Sequence, residues 1–552
     1  MSTRESSDES KKSGHESKNQ NENREISLKL HRLENKEKHF ITEEKKQAGK
    51  NYYDHVMKHD KNLKILPGNM QGTWMLCIQR AIDKRLMSLP ANETSPFLKT
   101  LHSPMRTTDE CLKIKNNYVT QIIQKIINMN TPHELPDIFQ HFHRMGIKMI
   151  FNVSYDPDLE DPKNQILYLH ICESLYSGTL AREKYVKALF EIFNLPNPTT
   201  SIERTERELA KTKPPLHDIQ NAVLCFNPIE DHSHPSSGSR TVTMNGKLAW
   251  IRFYFHPITV KRFSVDSIEF FEKIGEMMES ISLHRWKDYL LFVFFNYVSN
   301  LFSDTMNLWN DLEVDWSKDE TKRPKREMMK LSESQEAWFQ DAGLQFLNAD
   351  RKYIAEARAV VTKIANDMRV TLQDIFANSM WHESTKLEAK QKLENMKFHI
   401  GWNESPFIKF PHLSEQHYFD ELIIEGWKYQ YQIALDKNDT PADRGEWRFI
   451  SCSTVNACYS RELNALFIPP SLFYPPYLYM DDEKMPENFG GVGSIVGHEI
   501  FHGFDFDSKL INSKGMISNW WSKEDHKNFI KDAKKTVALY SHKNPISSNR
   551  KM

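Results

Sequence analysis

Residues 490–507 read GGVGSIVGHEIFHGFDFD, and this short stretch decides how the rest of the chain is interpreted. His498, Glu499 and His502 stand in an otherwise apolar segment that begins with glycines. Because a helix turns by about 100° per residue, these three side chains fall on one side of it. The opposite side carries small or apolar residues: Val496, Ile500 and Gly503. The spacing predicts a helix with one buried face and one face that presents two imidazoles.

The two histidines have the spacing that metal binding on a helix requires. Residues i and i+4 lie about 5–6 Å apart at Cβ, close enough for both imidazoles to reach one zinc ion. Glu499 then projects beside the ion, where its carboxylate can take a proton from an attacking water and return it to a leaving amine. The pattern predicts one zinc ion held by His498 and His502, with Glu499 as general base in peptide hydrolysis. Chance occurrence is the alternative, and the surrounding glycines and apolar residues disfavour it.

The composition excludes several classes of function. A chain of 552 residues is too long for a single hydrophobic core, so more than one domain is expected. Lys and Arg total 73 and Asp and Glu total 74, which leaves no field that would attract a polyanion. Nucleic acid is therefore not an expected partner. The six cysteines form no CxxC pair, so they do not indicate a cysteine-based metal site.

The chain contains no segment that predicts a membrane span or a signal peptide. Its best apolar run, Leu290–Phe302, is shorter than a span and is interrupted by Asn296 and Asn300, so a buried helix is expected there. The amino-terminal residues MSTRESSDESKKSGHESKNQ have no apolar core. The residues alone leave the compartment and the oligomeric state open.

The patterning divides the chain into three regions. Residues 1–50 are polar and charged, and a disordered tail is expected there. Residues 51–440 are predicted to form a mainly helical domain, because apolar residues recur at helical spacing in segments such as 286–302 and 353–381. Residues 441–552 change to short strands and proline-rich turns before the histidine helix, which predicts a separate α+β unit.

Residues 227–255 differ from the helical sequence around them. A Pro/Ser/Gly loop gives way to alternating apolar residues, RTVTMNGKLAWIRFYF, which predict strands. Asp231, His232 and His234 in the loop are a candidate metal site. A histidine-containing surface loop is the favoured interpretation, since nothing in the sequence fixes these side chains.

Three further stretches carry a family resemblance. VNACYSRELNALFIPPSLFYPPYLY (455–479) precedes the histidine helix, MWHESTKLEAKQKLENMKFHIGWNE (380–404) lies further upstream, and KGMISNWWSKEDHKNF (514–529) follows it. In order and spacing they resemble the neprilysin family of zinc endopeptidases, and the resemblance is strong from residue 376 to residue 529. The matching positions of the upstream stretch are Trp381, Thr385, Lys386, Ala389, Lys392, Ile400 and Gly401.

The resemblance implies a mainly α fold, α+β overall, in which a large helical amino-terminal lobe and a thermolysin-like (gluzincin) catalytic domain surround a cavity. It implies hydrolysis of small peptides on the amino side of hydrophobic residues, by a protein at the plasma membrane or secreted. His498 and His502 would be zinc ligands and Glu499 the general base. Asn456 and Ala457 in VNACY would hold the substrate backbone, as a strand edge can.

The resemblance is incomplete around the metal. Asp505 in HGFD matches the family, either as a partner of a ligand histidine or as a residue that shapes the helix end. The family's third zinc ligand is a glutamate in an E-x-x-x-D motif, and no such motif stands between His502 and Met552. Glu524 is disfavoured as a substitute, because its surroundings read as an ordinary solvated helix. The catalytic domain is therefore expected to be incomplete at its carboxyl end, which fits either a truncated peptidase or a non-catalytic peptide-binding homologue.

Overall fold

The computed structural model describes most of the chain between residues 70 and 541. The described residues are 70–92, 94–172, 180–212, 241–242, 248–258, 260, 263–306, 308, 312, 326–402, 411, 413, 417–505 and 508–541. The predicted polar tail at 1–50 and the candidate site at Asp231, His232 and His234 lie outside them.

The larger part of the fold is helical, as the sequence predicts. Its helices are α1 (Met70–Ser88), α2 (Pro96–His102), α3 (Thr108–Lys113), α4 (Tyr118–Ile127), α5 (Leu135–Arg144), α6 (Leu180–Ile192), α7 (Thr199–Thr212), α8 (Trp250–Phe255), α9 (Ile268–Ser280), α10 (Leu283–Val298), α11 (Arg326–Ala337), α12 (Phe339–Ala349), α13 (Arg351–Ala377), α14 (Glu383–Asn395) and α15 (Phe419–Lys437). Polar caps begin several of them. At α3 the Thr107 hydroxyl accepts the Glu110 N–H, and the Glu110 carboxylate accepts the Thr107 N–H.

The helices predicted from apolar spacing are confirmed at α10 and α13. Every residue of α10 from Tyr289 to Phe295 is buried, and the helix packs against α4, α6 and α7. Its apolar run is therefore covered by other helices of the same lobe. The part of the chain that the structure describes contains no helix long and apolar enough to cross a membrane.

A four-stranded sheet interrupts the helical region. Its strands are β1 (Phe151–Pro157), β2 (Gln165–Ile171), β3 (Thr241–Val242) and β4 (Phe263–Val265). The order across the sheet is β1-β2-β4-β3. β1 and β2 are antiparallel, β2 and β4 are parallel, and β3 and β4 are antiparallel. The register places Phe151 opposite Ile171 and Leu167 opposite Phe263.

The strand prediction for 227–255 is wrong at its end, because residues 250–255 form helix α8. Among the described residues of this stretch, strand pairing is confined to Thr241–Val242. The buried residues of α8 share one helical face, which lies against α5: Trp250, Ile251, Tyr254 and Phe255. A short apolar run suits a buried helix as well as a strand, and periodicity over so few residues does not separate the two.

The carboxyl-terminal part combines short strands with the histidine helix. Its elements are β5 (Lys397–Ile400), β6 (Cys458–Ser460), β7 (Ala465–Ile468), α16 (Met485–Asn488), α17 (Ser494–His502) and α18 (Lys523–Ser541). The sheet order is β5-β7-β6, with β5 and β7 parallel and β6 and β7 antiparallel. β6 is thus an outer strand of this sheet, and α17 packs beside it.

One hydrophobic core runs through both regions. It extends from Ile78 in α1 to Phe504 just after α17. A smaller cluster that includes Phe467 lies beside β7. The helical lobe and the histidine helix are therefore packed into a continuous interior.

The sequence predicts that the residues around Glu524 form a solvated helix. This prediction is wrong for the next residue, Asp525. Asp525 is buried, and its Oδ2 accepts the His382 N–H at 2.9 Å and the Thr385 hydroxyl at 2.7 Å. These bonds attach α18 to the start of α14. Glu524 itself is exposed, as predicted.

Candidate metal centre

Helix α17 carries the two histidines and packs closely against the core. A π-helical turn, Phe489–Gly493, leads into it. A Cβ atom at Gly491 would lie 2.4 Å from the Tyr477 carbonyl oxygen, so only glycine permits this approach. Val496 and Ile500 on the far side of α17 are fully buried. The structure thus has the predicted helix, with its apolar side in the interior.

The imidazoles of His498 and His502 meet on the other side of α17. Their Nε2 atoms lie 3.0 Å apart, and their ring planes are nearly perpendicular, at 84°. His498 is exposed and His502 is half-buried. Ligand atoms of the two histidines and of Glu499 all lie within 4.8 Å of one another. The structure therefore brings together the three residues that the motif singled out.

Asp505 fixes the orientation of the second histidine. Its Oδ2 lies 2.6 Å from Nδ1 of His502, and its Oδ1 accepts the Ser508 N–H at 3.0 Å. When Nδ1 of His502 carries the hydrogen that it donates to Asp505, its Nε2 presents a lone pair toward His498. Asp505 also shapes the chain after the helix, because its carbonyl accepts the Lys509 N–H. Asp505 thus makes the contacts of both roles that the sequence left open: it pairs with a candidate ligand histidine, and it shapes the chain after the helix.

Glu499 is the buried member of the group, with 5% of its surface exposed. Burial raises the pKa of its carboxyl to about 7, and nearby His502 acts in the opposite direction. The thiol of Cys458 on β6 lies close enough to interact with it. Burial, with a smaller contribution from Glu499, raises the pKa of Cys458 to about 12.

Asn456 and Ala457 stand immediately before β6. The side chain of Asn456 is exposed, whereas Ala457 is buried. On its inner side β6 pairs with β7, with Cys458 opposite Phe467. The structure places the two predicted substrate-binding residues at the start of an outer strand that lies beside α17.

The described residues add no third protein ligand to this group. His498, Glu499 and His502 form the group of potential ligand atoms found in that part of the chain. Glu524 is not a member of it, and lies exposed in the first turn of α18.

The sequence reasoning missed Lys392 as a residue that supports the group. Lys392 lies in α14 and has no exposed surface. Its Nζ donates to the carbonyls of Ser508 and Ile511, in the loop that follows Asp505. A signal was present: the buried residues of α14 are spaced along one helical stripe, and a lysine occupies that stripe beside Ala389 and Leu393.

Comparison with known proteins identifies the family. A model of the amino-terminal part of peptidase family M13 matches residues 5–403, which is more than half of the chain. A second model, of the peptidase part of the same family, matches residues 456–551. The chain belongs to peptidase family M13. The resemblance predicted from the sequence is thereby confirmed, and both M13 models are matched in their expected order.

Curated M13 relatives include neprilysins. The chain is 28% identical to rabbit (Oryctolagus cuniculus) neprilysin over 207 residues, which are 35% of this chain and 27% of the relative. It is 30% identical to neprilysin-2 of Caenorhabditis elegans over 187 residues, which are 31% of this chain and 25% of the relative. The match thus spans about a quarter of the length of these relatives.

Solved structures share the fold over most of the chain. PepO from Lactobacillus rhamnosis HN001 superposes with a TM-score of 0.72 at 16% identity, over 89% of this chain and 81% of that one. The zinc metalloprotease ZMP1 of Mycobacterium tuberculosis superposes with a TM-score of 0.66 at 15% identity, over 84% of this chain and 74% of that one. The mainly helical M13 fold predicted from the sequence is confirmed.

M13 membership implies a zinc cofactor, and the residues of α17 fit one. Two nitrogen ligands of a tetrahedral zinc ion, each about 2.0–2.1 Å from it, are about 3.3 Å apart. The Nε2 atoms of His498 and His502 are 3.0 Å apart, so a small movement of either ring would accommodate the ion. Imidazole nitrogens with a carboxylate behind one of them, here Asp505, are a common zinc donor arrangement.

Proposed function

We propose that this chain is a zinc-dependent endopeptidase that hydrolyses small peptides. The observation that carries the proposal is the group of His498, Glu499 and His502, in which two imidazole nitrogens 3.0 Å apart stand beside a buried carboxylate. Peptide hydrolysis requires a polarised carbonyl, a deprotonated water and a protonated leaving amine. A metal-loaded group of this composition meets all three requirements.

Each residue of the centre has a distinct role in this proposal. His498 and His502 would hold the metal through Nε2, and Asp505 would keep His502 in the tautomer that leaves this nitrogen free. A bound zinc ion supplies Lewis-acid polarisation of the scissile carbonyl and makes the attacking water more acidic. Glu499 accepts the proton of that water and returns it to the leaving amine.

The substrate is proposed to lie along the outer edge of β6. Main-chain groups on an outer strand can bind an extended peptide as an additional strand, and α17 lies beside this edge. Asn456 and Ala457 at the start of β6 would hold the peptide backbone. The preference for cleavage on the amino side of hydrophobic residues rests on the family resemblance.

One observation favours a second candidate function, peptide binding without hydrolysis. Catalytic zinc sites usually have three protein ligands, and the described residues supply two imidazoles beside the general base. We therefore expect weaker zinc binding than three protein ligands would provide. The presence of Glu499 favours the endopeptidase, since a protein that only binds peptides needs no general base.

A single reaction separates the two candidates. The purified chain is supplied with Zn²⁺ and incubated with a short peptide that contains one internal Phe or Leu, and the products are identified by mass spectrometry. Cleavage on the amino side of that residue, abolished by a chelator and restored by Zn²⁺, supports the endopeptidase. Peptide binding without products would favour the binding protein, and an absence of both would contradict both candidates.

A further inference from the structure

The buried lysine of α14 bears on the same metal centre, and the inference drawn from it rests on the proposed function. We propose that Lys392 is a positioning residue, which holds the loop after α17 so that Asp505 keeps the His502 ring oriented for metal binding. Lys392 touches neither the histidines nor a substrate in this proposal. It acts through the loop and through Asp505.

The first observation is the burial of Lys392. Its side chain has no exposed surface, although lysine is among the residues least often found fully buried without partners. Its ammonium group donates to the Ser508 carbonyl at 2.9 Å and to the Ile511 carbonyl at 2.6 Å. A buried charge of this kind is tolerated because such bonds offset the loss of water. Both of these hydrogen bonds join the Lys392 side chain to this loop.

The second observation is that the loop connects directly to His502. The Ser508 carbonyl accepts from Lys392, and the Ser508 N–H donates to Asp505 Oδ1 at 3.0 Å. The other oxygen of Asp505 lies 2.6 Å from Nδ1 of His502. Only one residue, Ser508, and one carboxylate separate the ammonium of Lys392 from the imidazole. A shift of the loop would therefore move the group that orients the ring.

The third observation is that α14 holds the same loop at further points. The Glu388 carboxylate accepts the Ser513 N–H at 2.7 Å, and the Asn395 amide donates to the Ser513 carbonyl at 3.3 Å. The main-chain carbonyl of Lys392 also accepts from the Asn464 side chain, which lies between β6 and β7. α14 thus holds the loop at several points, and the Lys392 contact with Ser508 is the one nearest in sequence to Asp505.

Two carboxylates lie close enough to the ammonium group to act on it. Burial lowers the pKa of Lys392 to about 7, and Asp505 and Glu388 oppose this effect.

The test measures Zn²⁺ affinity by competition with a chromophoric chelator, in the full chain. Lys392→Met removes the ammonium group and keeps most of the apolar stem. The matched control is Lys390→Met on the same helix, because the Lys390 side chain is 60% exposed and pairs with Glu394, away from the loop. We expect Lys392→Met to weaken Zn²⁺ binding by about 10-fold, the lower end of the range seen when a direct partner of a ligand histidine is lost, because Lys392 acts through Asp505. Lys390→Met should leave the affinity unchanged.

A double-mutant cycle with Asp505→Asn separates positioning from general stabilisation. If Lys392 acts through Asp505, Lys392→Met should have little further effect on Zn²⁺ affinity once Asp505 is replaced. If Lys392 has only a structural role, Lys392→Met should lower the thermal midpoint of the metal-free protein. Its effect on Zn²⁺ affinity should then add to the effect of Asp505→Asn. Should Lys392→Met fail to fold, Lys392→Gln retains a shorter neutral donor and is expected to weaken Zn²⁺ binding less strongly.

The outcomes distinguish this inference from the proposed function. A folded Lys392→Met or Lys392→Gln variant that binds Zn²⁺ as tightly as the wild type would overturn the inference, and so would additive effects in the cycle. A wild type that binds Zn²⁺ with the expected dependence on Lys392 but cleaves no peptide would support the inference and contradict the endopeptidase. A wild type that binds no Zn²⁺ would overturn both.

Discussion

The Nε2 atoms of His498 and His502 lie 3.0 Å apart on successive turns of α17, while Nδ1 of His502 is occupied by Asp505. Two nitrogen lone pairs at that distance repel each other unless a proton or a cation lies between them. Without a metal, a neutral His498 ring can donate its Nε2–H to Nε2 of His502. A zinc ion, which prefers imidazole nitrogen, would replace that hydrogen between the two rings.

Removal of either imidazole is predicted to weaken metal binding strongly. His498→Gln and His502→Gln should each weaken Zn²⁺ affinity by more than about 100-fold, because loss of even an outer partner costs about 10–100-fold. His526→Gln in α18 is the control, since His526 is not part of the group. Chelator competition measures all three variants. A loss of affinity in the control equal to that in the ligand variants would contradict the assignment.

Asn456 is predicted to contribute to substrate affinity and not to metal affinity. Asn456→Ala should raise KM by about fivefold, because a typical hydrogen bond contributes about 1 kcal/mol net. Zn²⁺ affinity should stay the same. Thr454→Ala, an exposed neighbour on the same loop, should leave KM unchanged. A fall in kcat with constant KM in Asn456→Ala would assign this residue to the transition state instead of to ground-state binding.

Asp525 is predicted to stabilise the attachment of α18 to α14. Asp525→Asn removes a buried carboxylate that accepts from His382, Thr385 and Ser522, and should lower the free energy of unfolding by about 2 kcal/mol. Asp532→Asn, whose side chain is 69% exposed on the same helix, should have almost no effect. Urea denaturation compares the two variants. Equal midpoints would show that α18 is held by other contacts.

His143 is predicted to make the helical lobe sensitive to acid. Its Nε2 donates to the Phe151 carbonyl and its Nδ1 accepts the Tyr254 hydroxyl, both at 2.7 Å, so the buried ring is neutral. Burial lowers its pKa to about 4. The unfolded chain, with an ordinary histidine pKa, therefore binds more protons than the folded protein between pH 6.5 and 4.

The stability contributed by neutral His143 should consequently be present above pH 6.5 and lost as the pH falls toward 4, by about 3 kcal/mol. Urea denaturation across this range measures it. His143→Gln should flatten the pH dependence of stability, whereas His133→Gln at an exposed position should not. An unchanged slope in His143→Gln would assign the acid sensitivity to other groups.

Local patterns in the sequence were sufficient for α10, α13 and α17, because each encodes its burial in its own periodicity. They failed at Trp250–Phe255, where a short apolar run becomes helix α8 through its packing on α5. They also failed where function depends on distant partners. Thr385 and Asp525 are 140 residues apart in sequence, and Lys392 and Ser508 are 116 apart. In neither pair does the sequence around one residue indicate the other.

The candidate site, too, is only partly predictable from local sequence patterns. The i, i+4 spacing of His498 and His502 on one helix was enough to predict that both imidazoles meet. The bond between Asp505 and His502 joins residues three apart, and the sequence already offers it as one of two roles for Asp505. The burial of Glu499 depends instead on how β6 packs against α17. Such packing becomes visible only in three dimensions.

Glu499→Gln separates proton transfer by this carboxylate from the action of zinc alone, because it keeps the size of the side chain and removes its basicity. The rate of peptide hydrolysis is measured at equal Zn²⁺ occupancy for the wild type, for Glu499→Gln and for the exposed control Glu524→Gln. We expect Glu499→Gln to lower kcat by about 100- to 10,000-fold while Zn²⁺ remains bound, and Glu524→Gln to match the wild type. A Glu499→Gln variant that keeps most of the wild-type rate would contradict the proposed mechanism.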